Sequence, residues 1–123
     1  MTSSIRQWTL DVHDVDRMAR FWSEALGYRI VSRGNGSVKL WPNDGAGAGA
    51  LPVWLQPSAG PKHDKNRNHP DLVATDRTAA QEVERLLTLG ATRADVGQTG
   101  REGFTVLADP EGNEFCVLDG EPT

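Results

Sequence analysis

The sequence predicts an α+β fold of two βαβββ modules within a single domain, 1–123, and three observations carry that prediction. The first is a spacing that recurs: Gln7 lies seven residues before Asp14, and His69 lies seven before Asp76. The second is that both helical patterns end in Leu-Gly, at Leu26-Gly27 and Leu89-Gly90, where glycine supplies the left-handed stop. The third is the stretch Asp109-Pro110-Glu111-Gly112-Asn113. Pro110 presets φ, Gly112 accepts a positive φ, and Asp109 and Asn113 can bond nearby backbone groups, so this is a turn between two strands.

Each element has its own local signal. Ile5 to Val12 alternates, with Trp8, Leu10 and Val12 on one face and Gln7, Thr9 and Asp11 on the other, as in a half-buried strand. Asp14 or Asp16 caps a helix running to Leu26, with Met18, Phe21, Trp22 and Ala25 as its apolar stripe. Tyr28 to Arg33 and Ser37 to Trp41 are strands joined by the hairpin turn Gly34-Asn35-Gly36. The Gly- and Ala-rich loop from Asn43 to Ala50 lacks the Gly-Lys-Ser/Thr and helix start of a phosphate cradle, and is expected to border a cleft. Leu51 to Gln56 closes module one, 5–57, with Pro52 at an edge or strand start.

Residues 58–68, rich in Pro, Gly and Lys, are the expected linker. Module two, 69–119, repeats the plan. His69 to Thr75 is a strand with His69, Asp71 and Val73 on one face. Asp76 or Thr78 then caps a helix with Val83, Leu86, Leu87 and Ala79 on its inner side. A short strand from Ala91 to Val96, a turn over Gly97 to Gly100 and the final hairpin follow. In the last strand Phe115 and Val117 point one way, and Glu114, Cys116 and Leu118 the other.

Composition narrows the function. A net charge of −4 and scattered basic residues disfavour nucleic acid as partner, despite the small cluster Lys62, Lys65 and Arg67. No long apolar run or signal-peptide pattern points to a membrane, and a single cysteine forms no internal disulfide, so a cytoplasmic protein is expected. Four Trp beside one Tyr and three Phe are more than packing needs, which directs attention to a ligand cleft.

Three segments carry a family resemblance: Met18-Ala-Arg-Phe-Trp-Ser-Glu-Ala-Leu-Gly27, Lys65-Asn-Arg-Asn-His-Pro-Asp-Leu72 and Asp109-Pro-Glu-Gly-Asn-Glu-Phe-Cys116. Together they resemble the vicinal oxygen chelate superfamily of glyoxalases, bleomycin-resistance proteins and extradiol dioxygenases, and in particular its small glyoxalase-like domain proteins. The resemblance implies an open, eight-stranded barrel-like sheet with helices outside and a cleft between the modules. It also implies a homodimer and a small-molecule ligand, and in many members a divalent ion held by first- and fourth-strand residues. The matching positions are Gln7, Gln56 (or Trp54), His69 and Cys116, where the last replaces the usual glutamate.

That set is poor in strong ligands: two are amides, one is a thiol that must first ionise, and only His69 binds metals in its ordinary state. No metal or other cofactor is therefore expected, with zinc, nickel or manganese as the ion of the alternative. His69 is either a ligand-facing base or a strand-start histidine bonded to local backbone, and Glu114 is a general acid or base, or a solvated carboxylate. Trp41, Trp54 and Phe104 are expected to stack on a ligand, with Gln7, Gln56, Asp71 and Cys116 completing its surroundings. Two functions follow as expectations: a binding protein without a complete metal site, or a metal-dependent lyase, isomerase or related enzyme of glyoxalase type.

Overall fold

The computed structural model describes residues 1–32, 35–44, 49–95, 97–99 and 102–122. The expected end of the second strand at Arg33, and the expected roles of Gly34 in the first hairpin turn, of residues 45–48 in the Gly-Ala loop, and of Val96 and Gly100 in the later strand and turn, lie outside the described residues. The chain divides into two compact units, Met1–Pro61 and Lys62–Thr123.

In the first unit the elements are β1 (Trp8–Asp11), α1 (Val15–Leu26), β2 (Arg29–Ser32), β3 (Val38–Trp41) and β4 (Val53–Gln56). The sheet order is β1-β4-β3-β2, with β1 parallel to β4 and the other pairs antiparallel. Of the two expected caps it is Asp14 that acts, its carboxylate accepting from the Arg17 amide at 3.1 Å, and Gly27 ends the helix at φ 71°. Met18, Phe21, Trp22 and Ala25 are buried on the sheet side of α1. The Trp22 ring meets both Trp8 and Phe21 edge-on at 5.1 Å, which fixes Trp8 on the helix face of β1. Val53 lies opposite Trp8, and Leu40 opposite Val53, so they share that face. Strand alternation then puts Thr9, Lys39, Trp41, Trp54 and Gln56 on the face away from the helix.

The second unit repeats the order: β5 (Asp71–Leu72), α2 (Ala79–Leu89), β6 (Thr92–Arg93), β7 (Phe104–Ala108) and β8 (Glu114–Leu118). Its sheet runs β5-β8-β7-β6, again with the first and last strands parallel. Here Thr78 is the cap. It forms a capping box with Gln81, while Asp76 pairs with Arg77 at 2.9 Å. Val83 and Leu86 are buried, whereas Leu87 and Ala79 are half-buried at the margin of the stripe. Leu107, Phe115 and Val117, each at 0% exposure, form the apolar centre of the sheet face that the stripe of α2 can cover.

The turn organises itself as its residues dictate. Asp109, 2% exposed, accepts from the amides of Glu111 (3.0 Å) and Asn113 (2.9 Å) and from the Asn113 side chain. Gly112 sits at φ 87°. Several strands are shorter than alternation implied. β1 starts at Trp8 and leaves Ile5 at 78% exposure, β6 is two residues long, and β5 spans Asp71–Leu72 instead of His69–Thr75. Among the described residues these strands stand at sheet edges and pair on one side only, and Pro70 has no N–H to extend the β5 ladder.

Candidate functional site

On the second unit, parallel pairing sets Asp71 directly beside Cys116, and the Cys116 amide donates to the Pro70 carbonyl at 3.0 Å. This turns His69 onto the same patch: its Nδ1 lies 3.9 Å from the Cys116 sulfur and 3.5 Å from an Asp71 oxygen. The candidate donor atoms of the three residues lie within 4.8 Å of one another. His69 and Asp71 are exposed and Cys116 is buried. Burial first, then the charge of Asp71 and a hydrogen bond to its carboxylate, push the Cys116 thiol up to about 11, with Lys65 opposing. At neutral pH the thiol therefore holds its proton.

Glu114 shares the Cys116 face and is 8% exposed, in contrast to the solvated carboxylate that is the usual fate of such a position. One oxygen takes the Lys62 ammonium at 3.0 Å and the other the Asn66 amide at 3.2 Å. Burial alone would raise its pKa, but these donors outweigh that and hold Glu114 below the ordinary glutamate value. The stretch expected to be a linker is accordingly tied down on both sides. Ser58 donates to Asp11 at 2.8 Å and the Ala59 amide to the Val12 carbonyl, while Lys62 and Asn66 grip β8. Phe104 lies on the same sheet face as Cys116 and Leu118 and is half-buried.

On the first unit, Trp41 and Trp54 are half-buried on the helix-free face. Lys39, which the sequence reading passed over, joins them: its ammonium stands 4.4 Å from the Trp41 ring centre and 5.2 Å from that of Trp54. Its signal was present in the alternation Lys39-Leu40-Trp41, but the partner Trp54 comes from β4 and is reached only through strand pairing. Gln56 occupies the same face beside Asp11, and half-buried Gln7 precedes β1. Register also decides between the two fourth-strand positions. With Gln7 as counterpart of His69, Thr9 corresponds to Asp71, so the counterpart of Cys116 is Trp54, which pairs with Thr9.

The resemblance implies a divalent ion, and the donors on the second unit can be tested against one. A sulfur, an imidazole nitrogen and a carboxylate suit zinc, and atoms bound at about 2.0–2.3 Å around a tetrahedral zinc stand roughly 3.3–3.8 Å apart. The observed 3.5 and 3.9 Å separations are close to that. Manganese and magnesium, which favour oxygen, fit this set poorly. His69, Asp71 and Cys116 would hold zinc once the thiol is ionised, leaving a fourth position for a polarised oxygen.

The glyoxalase-like domain family model matches residues 7–118. Among solved structures, the fosfomycin resistance protein FosX from Mesorhizobium loti is 20% identical with a TM-score of 0.70, covering 98% of this chain and 94% of that one. An E126Q mutant of FosX from Listeria monocytogenes, complexed with Mn(II) and 1S,2S-dihydroxypropylphosphonic acid, is 16% identical at TM-score 0.71, covering 98% and 93%. A hypothetical protein from S. aureus is 22% identical at TM-score 0.64, covering 98% and 99%. The comparison with curated proteins returned no significant match. The repeated βαβββ topology and the match across almost the whole chain lead to one conclusion: the protein belongs to the glyoxalase-like domain family, within the vicinal oxygen chelate superfamily.

Proposed function

We propose that this glyoxalase-like protein binds a small organic molecule on its helix-free sheet surface and carries no stoichiometric metal as isolated. The observation that carries the proposal is the placement of Trp41 and Trp54. Both are half-buried on the face away from α1, whereas Trp8 and Trp22 satisfy each other on the helix side. Indoles kept from the core are stacking surfaces for a flat ligand. Gln7 and Gln56 on the first unit, and Asp71, Phe104 and Cys116 on the second, are the further ligand-binding residues of the proposal, with His69 as the proton-exchanging group of the second unit's patch. Glu114, engaged by Lys62 and Asn66, acts by holding that strap.

The metal-free reading is supported by the protonated Cys116 thiol and by an indole, Trp54, at the register position matching Cys116. A second reading, a metal-dependent lyase or isomerase, is favoured by the convergence of His69, Asp71 and Cys116 within 4.8 Å. A zinc ion there would stabilise a developing oxyanion as a Lewis acid. Elemental analysis of the purified protein, with melting curves in the presence and absence of a chelator, separates the two. We expect no stoichiometric metal and an unchanged melting temperature. A chelator-sensitive melt, rescued by zinc and abolished by His69→Ala with Cys116→Ser, establishes the enzyme reading instead. The proposal further places a homodimer in the cytoplasm, and light scattering on the eluted protein tests the dimer.

A further inference from the structure

We infer that the ligand taken by the Trp41–Trp54 surface is a flat aromatic acid whose oxyanion is received jointly by the Lys39 ammonium and the Trp54 indole N–H. The inference rests on the proposed small-molecule binding and adds the chemical class of the ligand.

Two observations point to an anion. The Trp54 Nε1 is the one buried side-chain nitrogen or oxygen without a hydrogen-bond partner among the described residues. An indole N–H is donor only, and a buried donor left unmade costs about 1–3 kcal/mol, so this N–H, unpartnered among the described residues, is available to an acceptor carried by a ligand. The second observation is Lys39. Among the described residues its ammonium has no carboxylate and meets only the faces of Trp41 and Trp54. Asp11, an acidic side chain on the same sheet face, is engaged by Ser58 at 2.8 Å.

A cation and an orphan donor thus share one patch, and Lys39 and Trp54 are directly opposite each other across β3 and β4. Neither can satisfy the other, since both only donate. A single oxyanion serves both, and the two indoles supply stacking area for the ring that carries it. Lys39 is suited to admit such a ligand, because its long stem changes rotamer readily and can carry the ammonium from the indole faces onto the incoming oxygen.

The test is calorimetric titration with 2-naphthoate and its neutral isostere 2-naphthamide, against the wild type, Lys39→Gln, Lys39→Arg and Trp54→Phe. A charge-assisted hydrogen bond contributes about 1.5–3 kcal/mol, so the acid is expected to bind at least about tenfold more tightly than the amide. Lys39→Gln should abolish that preference, Lys39→Arg should retain it, and Trp54→Phe should weaken the acid more than the amide, whose carbonyl oxygen accepts a weaker, uncharged hydrogen bond. Equal binding of acid and amide to the wild type overturns the oxyanion inference and leaves the stacking surface standing. A preference for the acid that survives Lys39→Gln overturns it as well. Binding of neither probe removes both this inference and the small-molecule reading of the surface. Far-UV circular dichroism of each variant confirms that a lost signal is not lost folding, and Lys39→Arg supplies the comparison if Lys39→Gln unfolds.

Discussion

Phe21 and Trp54 are both large aromatic residues of the first unit, yet removing them should have opposite consequences. Phe21 is 3% exposed, lies on the inner stripe of α1 and meets Trp22 edge-on at 5.1 Å. Truncation to alanine removes its transfer free energy and leaves a cavity, together costing about 3–5 kcal/mol. For 123 residues, an unfolding entropy of about 2.1 cal/mol/K per residue amounts to roughly 0.26 kcal/mol/K, which converts that loss to a fall in Tm of about 12–19 °C. Trp54 is half-buried, and its Nε1 has no partner among the described residues, so Trp54→Ala gives up partial burial while relieving an unmet donor. The net cost should be about 1–2 kcal/mol, or a Tm lowered by roughly 4–8 °C. The assay is thermal unfolding followed by circular dichroism, alongside calorimetric titration with 2-naphthoate. Phe21→Ala should dominate the melt and Trp54→Ala the titration. If Trp54→Ala melts lower than Phe21→Ala, the assignment of faces on β4 is refuted.

Two other predictions concern titrating groups on the second unit. The donors from Lys62 and Asn66 hold the folded-state pKa of Glu114 below its ordinary 4.5, so its stabilisation is present above that pH and disappears as pH falls through the lowered value. Glu114→Gln should therefore melt lower than wild type at pH 7, by about 1–3 kcal/mol, with the gap closing under acid; an equal gap at pH 7 and pH 3 counts against the pairing. With the Cys116 thiol pushed up to about 11, the loss of thiolate at pH 8 outweighs the higher nucleophilicity of the thiolate that remains, and its alkylation by iodoacetamide should run more than about tenfold slower than that of free cysteine. Alkylation at the free-cysteine rate would mean that the thiol is neither buried nor beside Asp71.

The sequence by itself determined the repeated βαβββ plan, both glycine helix stops and the Asp109–Asn113 turn, because caps, turns and alternation depend on residues within a few positions of one another. Where two local signals competed, as Asp76 and Thr78 did for the second cap, the choice went to Thr78. It alone could exchange hydrogen bonds with a glutamine three residues on.

Strand lengths were overestimated at β1, β5 and β6, since alternation marks which residues can lie in a sheet and not how far a neighbouring strand extends beside them. The site was legible as residue types and only partly as partnerships. His69 and Asp71 were placed together by period two, but Cys116 joins them across 47 positions from His69 through the parallel pairing of β5 and β8. Glu114 gained Lys62 from 52 positions away, which converted an apparently solvated acid into a buried, paired one. Lys39 became part of the tryptophan surface only when β3 paired with β4 and brought Trp54 opposite it. Such encounters depend on register between distant strands, which chain connectivity permits in many combinations and the burial of one sheet face reduces to one.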